Sequence, residues 1–110
     1  MDNNKIYNMD TLVPSEPIHP GQILKDELAE RHLSQRKLAE VTGCSYTVLN
    51  EILNGKRPLS PDYALRIEAA LGIKAYMLIS MQSAYNLQVA RNNHKLSAIL
   101  NKIRASAAAL

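Results

Sequence analysis

The chain has 110 residues, 46% of them hydrophobic, which is enough for one small domain plus some extra helix and a modest core that needs no staples. No apolar run reaches the length a bilayer requires, and the opening MDNNKIYNMD lacks a basic, apolar signal-peptide pattern, so a cytoplasmic protein is expected. The single cysteine excludes an internal disulfide, and with the three scattered histidines it matches no zinc-ligand spacing, so no metal or cofactor is expected; the net charge is a modest +3.

Residues 1–17 hold Pro14 and Pro17 without helical periodicity and are expected to form an extended N-terminal arm, flexible or partner-bound. Residues 1–30 are acidic, with Asp2, Asp10, Glu16, Asp26, Glu27 and Glu30 against Lys5 and Lys25. Pro20 and Gly21 open a first helix that ends near His32, with Ile23, Leu24, Leu28 and Leu33 on its apolar stripe. Ser34 caps a second, short helix from Gln35 to Thr42 that turns Leu38 and Ala39 inward, and Gly43 suits the left-handed conformation at its end. Ser45 caps a third helix from Tyr46 to about Leu53, whose Leu49, Ile52 and Leu53 are spaced for burial while Tyr46, Thr47 and Asn50 occupy the opposite side. Asn54 and Gly55 end it, and Lys56, Arg57 and Pro58 make a basic turn.

Ser60, Pro61 and Asp62 combine a hydroxyl cap, a proline where no N–H is needed and an acid in the first turn, so a fourth helix follows through Leu65, Ile67, Ala69 and Leu71 to Gly72. A fifth is expected from Ile73 to about Arg91 through Met77, Leu78, Met81, Tyr85 and Val89. After Asn92 and Asn93, a last helix over Lys95 to Leu110 places Leu96, Leu100, Ile103, Ala107 and Leu110 on one face. No strand signal of any length is visible. The expected fold is therefore all-α.

The stretch LSQRKLAEVTGCSYTVLNEILNGKRP, Leu33 to Pro58, reads as a helix-turn-helix. From 31 to 57 the charge turns basic, with Arg31, Arg36, Lys37, Lys56 and Arg57 outnumbering Glu40 and Glu51, which fits a polyanion. In such motifs the second helix enters the major groove by its N-terminal half and the first spans the backbone. Base reading is thereby assigned to Ser45, Tyr46, Thr47 and Asn50, and phosphate binding to Ser34, Gln35, Arg36, Lys56 and Arg57. Tyr46 serves either packing against a neighbouring helix or contact with a thymine methyl or phosphate. Glu51 is expected to point away from DNA or to orient a basic neighbour, and Cys44 to close the turn onto the core.

From Ile18 to about Arg91 the chain resembles the Xre/Cro-type, lambda-repressor-like DNA-binding domains and, within them, the HigA family of antitoxins. IHPGQILKDEL (Ile18 to Leu28), LSQRKLAEVTGCS (Leu33 to Ser45), VLNEILNGKRPLSPDYALRIEAALG (Val48 to Gly72) and a fifth helix ending in AYNLQVAR carry the resemblance. Tyr76, Met77, Leu78 and Ile79 replace the Trp-Leu content common near the start of that fifth helix. The resemblance implies a compact five-helix DNA-binding domain over 18–91; it does not extend to the N-terminal arm over 1–17 or to the additional C-terminal helical extension over 92–110. It also implies a homodimer on double-stranded operator DNA, repression of its own operon, and neutralisation of a small RNase toxin by a type II antitoxin. No toxin-contact residue is carried over.

Two other functions compete: a stand-alone or phage-type regulator without a toxin partner, and an interaction module that has lost DNA binding. An enzyme is not expected, because His19, His32 and His94 are far apart in sequence and neither a nucleophile–base pairing nor a Gly-rich phosphate loop is present. His19 is expected in the turn leading into the first helix, and His32 at an exposed helix end.

Overall fold

A computed structural model describes residues 18–110 in full and, before them, only the backbone of Tyr7–Asn8 and Val13–Pro14. Those two dipeptides pair as antiparallel strands β1 and β2, with Tyr7 opposite Pro14 and Asn8 opposite Val13. This strand pair was not expected, but the fold class is all-helical, as expected. Two residues are too few to show an alternating pattern, although Tyr7 and Val13 are residue types that favour extended backbone. The rest of the expected arm lies outside the described residues.

Six helices follow: α1 (Pro20–Glu30), α2 (Gln35–Thr42), α3 (Tyr46–Leu53), α4 (Pro61–Leu71), α5 (Ala75–Arg91) and α6 (His94–Ala107). Ile18–Ser83 forms one compact unit, and the residues from Ala84 onward belong to a second. Among the described residues no helix is long and apolar enough to cross a membrane.

The helix boundaries follow from local chemistry. Ser34, Ser45 and Ser60 each accept a hydrogen bond from a backbone N–H in the first turn of the helix they precede, those of Lys37, Val48 and Tyr63. Gly43 ends α2 at φ 72°, a conformation that a Cβ disfavours. His32 takes the same left-handed role after α1, at φ 54°. There the Leu33 N–H donates to Leu28 O and the His32 N–H to Ala29 O, the paired bonds that close a helix end.

Helix α5 begins at Ala75, two residues later than its apolar pattern predicts. The cap comes from another helix: the Glu68 carboxylate of α4 accepts the Ala75 N–H at 2.9 Å. The faces differ from expectation as well. Ile67 and Leu78 are buried as expected, but Leu65, Met77 and Val89 are exposed, and Ala64 of α4 and Ala75 and Gln82 of α5 are buried instead. Gln82 is inside because its Oε1 accepts the Leu59 N–H at 2.9 Å, satisfying a donor on the loop after the basic turn.

The core is aliphatic and interlocked. Leu24 and Leu28 of α1, Leu38 and Ala39 of α2, Leu49, Ile52 and Leu53 of α3, and Ile67 and Leu78 form one cluster, with Cys44 buried at the turn as expected. The tightest approach is at Gly21, where a Cβ would clash with Ile52 O and lie 2.9 Å from Leu53 O. Alanine is favoured over glycine in a helix by up to about 1 kcal/mol, but two backbone carbonyls cannot swing aside, and overpacking costs about 1–3 kcal/mol. Gly21→Ala is therefore expected to destabilise the fold by about 1–3 kcal/mol, read as a lowered denaturant midpoint; an unchanged or raised midpoint would show that α1 is free to shift.

Candidate nucleic-acid interface

Helix α3 is held at both ends. At its N-terminus the Ser45 N–H donates to the Tyr63 hydroxyl of α4 at 3.1 Å, and Arg66 reaches the turn before it, its Nη1 donating to Thr42 O at 3.0 Å. Asp62 accepts from Arg66 Nε at 2.6 Å, and this bond together with the carboxylate's charge holds the Arg66 guanidinium above its ordinary pKa. At the C-terminus, α1 closes on the last carbonyls of α3 through Gly21. Beside this contact, His19 is buried and caps α1, its Nδ1 accepting the Gly21 N–H at 2.9 Å, which leaves the ring proton on Nε2. Burial pushes the His19 pKa below its ordinary value, opposed by a hydrogen bond to the Arg57 backbone.

The residues expected to read bases share one exposed edge. Ser45, Tyr46 and Thr47 are exposed and Asn50 is half-buried. Two residues from α2 reach them. Asn50 Nδ2 donates to Gln35 Oε1 at 2.8 Å, and the Arg36 guanidinium lies over the Tyr46 ring, 4.6 Å from its centroid, a contact worth about 0.5–1 kcal/mol at an exposed site. Tyr46 thus partners Arg36 and is not buried against a neighbouring helix. Ser34 and Ser45 each use a lone pair on their cap and keep the hydroxyl hydrogen for another acceptor.

Lys56 and Arg57 are exposed beyond the end of α3. Arg57 is paired: its Nη2 and Nε lie 2.7 and 2.8 Å from Glu51 Oε1. Glu51 therefore orients a basic neighbour, one of the two outcomes expected for it. Among the described residues, Lys56 and Arg36 have no acidic partner.

Sequence reasoning missed Asn54, Lys25 and Tyr63. Asn54 Nδ2 donates to Asn50 O at 2.8 Å and to Asn50 Oδ1 at 3.3 Å, while its own Oδ1 accepts from Lys25 Nζ of α1 at 3.3 Å. The spacing of Asn50 and Asn54, one helical turn apart, was the available signal for that pair. Nothing local points to Lys25 or Tyr63.

Residues 24–78 match the helix-turn-helix family. Over 77 residues the chain is 38% identical to virulence-associated protein I of Dichelobacter nodosus, a match covering 69% of this chain and 71% of that one. Among solved structures, an addiction module antidote protein of the HigA family from Coxiella burnetii is 32% identical with a TM-score of 0.70, covering 79% of this chain and 94% of its own. The chain belongs to the HigA family. The Pseudomonas aeruginosa antitoxin HigA, solved with the higBA promoter, is 34% identical with a TM-score of 0.68 and covers 80% of this chain and 91% of its own. In this HigA-family chain the family match contains the whole of α2, α3 and α4, and leaves out His19 and Gly21, the two residues that dock α1 on the end of α3.

The His19 cap carries a pH dependence. With its pKa lowered in the fold from the ordinary 6.5, the folded chain resists a proton that the unfolded chain accepts, so the cap's contribution is complete above pH 6.5 and declines as pH falls below it. Protonation of Nδ1 also removes the acceptor for Gly21. Thermal midpoints measured from pH 7 to pH 5 should fall more for the native chain than for His19→Asn, which keeps a capping acceptor but does not titrate; parallel curves would remove His19 as the cause.

Proposed function

We propose that the chain is a cytoplasmic, sequence-specific operator-binding repressor that also acts as the antitoxin of a type II toxin–antitoxin module, autoregulating its operon and neutralising a small RNase toxin. The observation that carries the DNA reading is the cluster of Asn50, Gln35, Tyr46 and Arg36 on the exposed edge shared by α2 and α3. In this reading Ser45, Tyr46, Thr47 and Asn50 face the bases, and Ser34, Gln35, Arg36, Lys56 and Arg57 meet the backbone. Asn50 donates one amide hydrogen to Gln35 and accepts one bond from Asn54. It keeps a second hydrogen and a second lone pair, the pair of groups that adenine N7 and N6 require.

An interaction module that has lost DNA binding draws slight support from Glu51 and from the low net charge of +3; the pairing of Glu51 with Arg57 weakens the first of these. One short helix reads only a few base pairs, so two copies about one DNA turn apart, roughly 34 Å, are needed on a near-palindromic site. The unburied apolar stripe of α6, with Ile99 and Ile103 exposed, is a surface that a second copy would cover.

The antitoxin part of the proposal is supported by the likeness to the HigA antitoxins of Coxiella burnetii and Pseudomonas aeruginosa. Co-expression with the product of the adjacent gene should yield a stable complex; a chain that purifies alone from every such pairing favours the stand-alone regulator. For DNA, Asn50→Ala is expected to cost about 1–3 kcal/mol at one base position, measured by gel shift on single-base variants of the operator. Equal losses on every variant would take base reading away from Asn50, and the absence of any salt-sensitive shift by the native chain would exclude operator binding.

A further inference from the structure

Resting on the operator-binding reading, the geometry points to Arg36 as a guanine-reading residue that Tyr46 positions, so that the base-reading surface is built from two helices. The composition of the motif placed Arg36 among the phosphate anchors, and its surroundings argue otherwise.

Arg36 is the second residue of α2, and Tyr46 is the first residue of α3. The guanidinium lies 4.6 Å from the Tyr46 ring centroid. It is therefore parked at the N-terminal end of α3, the end by which the second helix of such a motif enters the groove. Lys56 and Arg57, by contrast, follow the C-terminal end of α3. Stacking occupies only the flat face of the guanidinium and leaves the in-plane N–H groups along its edge. No acid among the described residues takes those donors: the acid-paired basic residues are Arg31, Lys37, Arg57 and Arg66. A planar fork of donors, placed over the Tyr46 ring and without an acidic partner among the described residues, complements the O6 and N7 acceptors that guanine presents in the major groove. The same helix end supplies Gln35, already bonded to Asn50, so neighbouring residues of α2 both lean onto the reading face of α3. Tyr46 is on this account a positioning residue, acting through Arg36.

Substitutions at two positions separate this role from phosphate anchoring. Lysine keeps the charge at 36 but has neither the fork nor the planar stack; Tyr46→Phe keeps the ring, whereas Tyr46→Leu removes it. All are at exposed positions, and circular dichroism would verify that each variant folds. The probe is a pool of randomised duplexes, selected by the native chain and by each variant, followed by titration of the enriched duplex and its single-base variants at several salt concentrations.

The native chain should enrich a fixed G·C pair in each half-site. Arg36→Lys and Tyr46→Leu should both lose discrimination at that same pair, by about 5- to 150-fold, with an unchanged salt slope, and Tyr46→Phe should retain it. Full discrimination by Arg36→Ala at every position would overturn the inference. So would a uniform loss by Arg36→Ala on all duplexes with the salt slope reduced by about one, the signature of a phosphate contact. Loss by Tyr46→Leu at a different base pair would show Tyr46 reading on its own and would overturn its positioning role. A native chain that enriches no sequence in a salt-sensitive way would instead exclude operator binding itself, and this inference with it.

Discussion

A glycine at the start of α1 lets that helix lie directly against the carbonyls of Ile52 and Leu53, the last residues of α3. An eight-residue helix has little stability of its own, so α3 depends on what packs against it. Gly21 brings the α1 backbone close enough for Leu24 to join Leu49, Ile52 and Leu53 in one buried cluster. Around the same contact, His19 caps α1 while its ring touches the backbone of the basic turn through Arg57, and Lys25 reaches Asn54. With Tyr63 and Arg66 holding the other end, α3 is fixed along its whole length by neighbours on two sides.

That rigidity extends to the exposed side chains. Asn50 is tied to Gln35 in front and to Asn54 behind, and Tyr46 carries Arg36 on its ring. Side chains already restrained before they meet a partner lose less rotamer freedom on binding, where each mobile side chain would otherwise cost about 0.5–1.5 kcal/mol. The bonds that restrain them leave donors and acceptors over, because an amide and a guanidinium each have more hydrogen-bonding positions than these contacts use.

The helix order and most boundaries were legible because their signals are local. Ser34, Ser45, Ser60 and Gly43 act within a few residues of themselves, and their caps are where the sequence places them. The start of α5 was not legible, because the acceptor for Ala75 comes from Glu68 of the preceding helix. The burial of Gln82 was equally hidden, since a glutamine enters a core only when a specific donor, here the Leu59 N–H, awaits it. On α4, periodicity favoured Leu65 but packing chose the smaller Ala64 for the inside. At the site, residue types indicated which side chains belong to the polar edge, but the pairings Gln35–Asn50, Lys25–Asn54 and Ser45–Tyr63 join different helices, and only the packed fold specifies them.

The acid on α3 illustrates why charge counts alone misjudge such a surface. Counted along the sequence, Glu51 subtracts from a weakly basic edge; in the fold its carboxylate accepts from Nε and Nη2 of Arg57 through a single oxygen. An exposed pair of this kind adds little stability, about 0–1 kcal/mol, so its consequence is mainly geometric. Of the five N–H donors of Arg57, two are engaged and three remain, and the exposed guanidinium is tied to α3 through Glu51. The long-range field of the pair is nearly cancelled, and beyond about 10 Å it would be screened at 0.1 M salt in any case. At contact distance it is the remaining donors, already oriented, that an anion would meet. Glu51 therefore sacrifices net charge at a distance and gains direction at close range, a trade compatible with an overall charge of only +3.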